Sequence, residues 1–135
     1  MSSLKQLKIE RKGVALQQRV ILEVNSLVKD IGRCEKTITD LKTELEAVNA
    51  RHQGRKTTRE DIAYLTDLLE CAKKKLAWEK LMTSLQKRTP AILEEMSSLI
   101  NDPLNPPPEQ TRAEMLQALK AVQAAMERLH AVKVE

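Results

Sequence analysis

Few side chains in this sequence are of a kind that performs chemistry. There are two histidines, His52 and His130, and two cysteines, Cys34 and Cys71. A catalytic or metal-bound histidine needs a nucleophile, a carboxylate or further ligands at set spacing. Neither histidine has a Cys or carboxylate so spaced, and both read as solvated surface residues. Two cysteines do not make a disulfide framework, and they lack metal-like pairing. Gly13, Gly32 and Gly54 each stand alone, so no glycine-rich phosphate loop can be drawn. The expectation is no enzyme, no cofactor and no metal site.

Two features fit binding better than catalysis. Arg51, His52, Arg55, Lys56 and Arg59 gather in a stretch, residues 47–59, that contains no acid. Such a cluster suits an acidic partner chain. It suits nucleic acid less well, because proteins that bind single strands add aromatic stacking platforms, and the only aromatic nearby is Tyr64. Lys73, Lys74 and Lys75 form a second basic cluster. Trp78 is the one large aromatic, a residue type favoured as an interface anchor, although its register with Leu85 and Ile92 also suits a core position. Arg51, Arg55, Lys56, Arg59 and Trp78 are therefore the candidate partner-binding residues.

The elements that position them are helices. The 135 residues include no Phe, one Trp and one Tyr, and 31% are charged. A core built from aliphatic side chains and Met favours helix-on-helix seams. From Leu7 to Val48 apolar residues recur every seven positions in three lanes. The first is Leu7, Val14, Ile21 and Val28. The second is Val24, Ile31, Ile38 and Leu45, and the third is Leu27, Cys34, Leu41 and Val48. A heptad repeat held this long marks a helix lying along other helices. The lanes shift face as they proceed, as an undistorted helix does against a strict seven-residue repeat.

Helix 1 is expected over about 4–50, with Ser3 as its cap and Gly13 and Gly32 inside it. Each glycine is a weak point held by packing, a bend, or a close approach of a partner backbone. Gly54 ends the helix, and Thr57 with Glu60 fits a capping box for the next. Helix 2 is expected over about 58–100, with a first seam of Ile62, Leu65, Leu69, Ala72 and Leu76. The lane of Trp78, Leu85, Ile92 and Leu99 then passes through Pro90, which implies either a kink or a break with Thr89 as a new cap. Asn101 to Pro108 holds four prolines and reads as a stiff link, with the Pro103–Pro106 spacing as a weak docking signal. Helix 3 follows over about 109–132, with Met115, Leu119, Val122, Met126 and Leu129 as its stripe.

A short connection near residue 54 makes the first two helices antiparallel. A turn there also brings Cys34 and Cys71 to within about one helical turn of each other, where they read as two small apolar fillers of a reduced seam, with a redox-sensitive staple as the sharper alternative. The expected architecture is all-α, a single helical domain. It is an elongated antiparallel, coiled-coil-like hairpin with a shorter third helix packed back, a three-helix bundle whose far half has only two helices. In helix count and charge it resembles three-helix co-chaperone modules such as the BAG domain and tubulin-binding cofactor A. That outline transfers no residues.

Net charge is +4, and the surplus is confined to residues 1–56, where twelve Lys and Arg face seven acids. The start of the chain is charged throughout and reads as no signal peptide, and no run approaches the roughly 20 apolar residues of a membrane span. A cytoplasmic or nuclear setting is expected. The leading functional expectation is a non-enzymatic coiled-coil scaffold or adaptor subunit of a cytoskeletal, spindle or trafficking assembly. It would hold other protein chains, self-association included, through uncovered seams of helices 1 and 2. A co-chaperone-like module binding a folded client is the alternative. A basic nucleic-acid-binding module is third and disfavoured.

Overall fold

Heptad lanes dictate the architecture. In the computed structural model, α1 spans Leu4–Arg51, α2 spans Thr58–Ile100 and α3 spans Glu109–Ala131. The structure describes residues 4–132, with side chains from residue 15 onward. The cap at Ser3 and the surroundings of Leu7, Gly13 and Val14 therefore lie outside the described residues.

At about 1.5 Å per residue, α1 is a rod of about 70 Å. It is the central element. Val20, Val24, Leu27, Ile31, Cys34 and Ile38 are almost wholly buried along it, and Leu41 and Val48 continue the strip toward the hairpin tip. The second and third sequence lanes are thus the packed ones, with Leu45 half-buried.

α2 returns antiparallel along α1. Four cross-contacts mark successive levels of the hairpin: Tyr64 with Asn49, Lys74 with Glu44, Arg88 with Asp30, and Glu95 with Arg19. α3 runs parallel to α1. Asn105, just ahead of α3, accepts a hydrogen bond from the buried Gln17 Nε2 at 3.2 Å, and Arg128 near the end of α3 lies 3.6 Å from Glu35. Met115, Ala118, Val122, Ala125 and Leu129 are buried at alternating steps of three and four. This is a heptad seam whose two alanines permit a close approach. Leu119 and Met126, expected in that stripe, are only half-buried beside it.

α3 packs on α1 and barely touches α2. The molecule is an all-α three-helix bundle that thins to two helices toward the tip. It exposes 9795 Å² of surface, against about 7,200 Å² for a compact globular protein of this mass. The excess is that of an elongated shape.

Pro90 does not interrupt α2, which is continuous to Ile100. The missing N–H leaves the carbonyl of Gln86 without its helical donor. Thr89 starts no new helix. Its hydroxyl donates to the carbonyl of Leu85 at 2.6 Å, in a buried position. At Gly32 a Cβ would meet nothing within 4 Å, so no partner backbone presses on it. Gly54 is different, with a φ of 75° in the connection after α1. Glycine enters that left-handed region at no steric cost.

The proline-rich link is tied to the base of the bundle. Asp102 Oδ1 accepts from the backbone N–H groups of Leu104 and Asn105, and Pro107 is buried. α3 then starts without a side-chain cap, and Arg112 N–H donates to the carbonyl of Pro108 at 2.8 Å.

Candidate functional site

At the tip, Thr57 caps α2, its hydroxyl accepting from Glu60 N–H at 3.2 Å. The reciprocal bond of a capping box normally returns to the cap residue. Here the Glu60 carboxylate takes the N–H of Lys56 instead, at 3.1 Å. This fixes the connection as it enters α2.

The basic cluster of the sequence meets acids that its own stretch lacks. Arg51 lies 3.5 Å from Asp67, and His52 Nε2 lies 2.7 Å from the same carboxylate. Arg55 Nε contacts Asp61 at 3.1 Å, and its Nη1 donates to the carbonyl of His52. Arg55 also lies over the Tyr64 ring, 3.8 Å from its centre, and the His52 and Tyr64 rings meet edge to face with their centres 5.4 Å apart. The Tyr64 hydroxyl donates to Asn49 at 2.6 Å. The tip is therefore a clasp between the end of α1 and the first turns of α2. Lys56 and Arg59 are exposed beyond it.

Sequence spacing gave no partner for His52, because Asp67 is brought to it only by antiparallel packing. His130 is exposed in the last turn of α3. Among the described residues no cluster of His, Cys, Asp and Glu has the form of a metal site.

Trp78 belongs to the α1–α2 seam. It is half-buried, and its indole N–H donates to the carbonyl of Cys34 at 3.1 Å. That contact places Cys34 beside Trp78, while Cys71 lies one turn from Lys74, which is paired with Glu44. Along α1 the two cysteines are separated by roughly ten residues, about 15 Å. A disulfide needs Cα atoms within about 7 Å, so they do not pair. The expected proximity fails because the connection carries the chain past the end of α1 before α2 begins, so Arg51 faces Asp67 and not Thr58. Both thiols are buried and free. Burial pushes both upward from the ordinary thiol value. The Trp78 indole, a donor beside the thiol, opposes this at Cys34, and the nearby Glu44 carboxylate adds to it at Cys71.

Two shallow depressions of about 230 and 300 Å³ follow the α1–α2 seam on the side away from α3, with Leu81 between them. Their rims are joined by the Asp30–Arg88 and Glu44–Lys74 pairs.

The largest departure from the sequence reading is on α2. Ile62, Leu65, Leu69, Ala72 and Leu76 do not face α1. The four large aliphatics among them are 56–61% exposed. α1 is met instead by Tyr64, Leu68 and the buried Cys71. The tip half of α2 carries two apolar faces, one packed and one outward. On α1 the lanes of the same half are covered, so among the described residues the open seam belongs to α2 alone.

Compared with protein-family models, curated proteins and solved structures, the chain matches none of them. Nor is any helix among the described residues long and apolar enough to cross a membrane.

Proposed function

We propose that this chain is a non-enzymatic coiled-coil scaffold or adaptor subunit that holds other protein chains in a larger assembly of the cytoskeletal, spindle or trafficking kind. The observation that carries the reading is the outward lane on α2. It keeps a heptad spacing over two repeats, yet it contributes nothing to the bundle's own core. A contiguous aliphatic strip left in water is unfavourable unless a partner covers it. Its a/d spacing is the one that receives another helix.

The tip supports the same reading over a nucleic-acid role. Arg51 and Arg55 are each already paired with an acid, and Arg55 covers one face of the Tyr64 ring, the only aromatic near the tip on which a base could stack.

The test is capture from extract with the whole chain and with a Leu65→Glu/Leu69→Glu variant as baits, after thermal melts show both folded alike. The expected result is a defined set of chains held by the parent and lost by the variant. Identical capture by both baits would overturn the reading. A strictly monomeric chain that holds one globular client through another face would favour the co-chaperone-like alternative.

A further inference from the structure

Resting on the scaffold reading, we infer that the outer lane of α2, from Ile62 to Leu76, seats one amphipathic helix of another chain whose apolar lane is bordered by acidic residues. The argument is the charge along the edges of the lane. With Ile62, Leu69 and Leu76 at one heptad position and Leu65 and Ala72 at the other, the flanking positions carry Lys73, Lys75 and Lys80. All three are exposed.

Lys73 touches Glu70 of its own helix at 3.3 Å, an exposed contact of the kind that contributes little. Lys75 and Lys80 form no ion pair among the described residues. The acid that shares this border, Asp61, is already held by Arg55 at 3.1 Å. The edges therefore ask for carboxylates, and flanking charge is what selects the partner in a helix–helix seam.

A second copy of this chain does not supply them, because it brings the same lysines and the same engaged Asp61. The lane ends where Glu79 takes the next apolar position. Its span from Ile62 to Leu76 is about 21 Å, so the occupant contributes about two heptads. A contact of that size fits a short helical segment held as one of several attachments.

The test uses the whole chain and two dye-labelled synthetic peptides of about three heptads. Both have Leu at the two seam positions, and the flanks are Glu in one and Lys in the other. Fluorescence anisotropy should show the Glu-flanked peptide binding about tenfold tighter at low salt. That gap should close as salt is raised. A Lys73→Glu/Lys75→Glu/Lys80→Glu variant should reverse the order, and Leu69→Glu should lose both peptides while melting as the parent does.

Equal affinity for the two peptides, or none for either, overturns the inference. So does a concentration-dependent dimer in sedimentation that Leu69→Glu abolishes, since the occupant is then a second copy. If extract capture depends on the lane while the acidic peptide fails to bind, the scaffold reading stands and this inference falls. If neither depends on the lane, both fall.

Discussion

Trp78 shows how one side chain serves two helices. Its ring fills the α1–α2 seam while its N–H reaches the carbonyl of Cys34. Trp78→Phe keeps most of the ring and loses the bond, which should cost about 1 kcal/mol in urea unfolding. Trp78→Ala should cost about 3 kcal/mol. The cysteines give a pH prediction. Their folded values lie above the ordinary thiol value of 9.0. The unfolded chain therefore releases these protons first as pH rises. Their contribution is intact below the unfolded value and is lost as pH climbs through the folded one. Urea midpoints should fall from pH 8 to pH 10, and a Cys34→Ala/Cys71→Ala variant should show a shallower fall. Under mild oxidation the parent should yield no internal Cys34–Cys71 peptide on mapping. At this scale the sequence showed residue types well and partners poorly. Arg51, His52 and Arg55 read as an unopposed cluster because Asp61 and Asp67 lie beyond the stretch, in the next helix. The pairing depends on how far the connection overshoots α1, which depends in turn on Gly54 and on the Lys56–Glu60 bond.

The helices themselves were far more legible. Their number, order and approximate limits follow from the heptad lanes, the Thr57–Glu60 cap and the proline cluster, all local signals. Which face of α2 turns inward was not legible. In its first half Ile62, Leu65, Leu69 and Leu76 form a stronger aliphatic stripe than Tyr64, Leu68 and Cys71, yet the weaker stripe is the one that packs. Periodicity reports that a stripe exists, and tertiary packing decides which stripe is used. The two faces should differ sharply in substitution. Ile31→Ala, in the buried strip of α1, should cost about 3–4 kcal/mol. Leu69→Ala, on the outer lane, should change stability by less than about 1 kcal/mol. Thermal melts of the two variants decide the point. Gly32 gives a gain in the other direction. Its open surroundings and helical backbone make Gly32→Ala stabilising by about 1 kcal/mol. At Gly54, with a φ of 75°, the same change should cost about 1 kcal/mol.

For the molecule as a whole, the central fact is that α1 alone touches both other helices extensively. Val122→Asp, in the middle of the α3 seam, should uncover the first half of α1 without dissolving the clasp at the tip. Hydrogen exchange should then rise across α3 and residues 17–38 more than across Asn49 and Tyr64. The same arrangement has a consequence for biosynthesis. The aliphatic strip of α1 from Val20 to Ile31 leaves the ribosome well before the Met115–Leu129 seam that completes its cover. Until then a greasy half-cylinder stands open. A nascent chain stalled in the proline-rich segment would carry that sticky surface. Slower passage through those prolines should lengthen the time for which that strip is open to exit-tunnel chaperones.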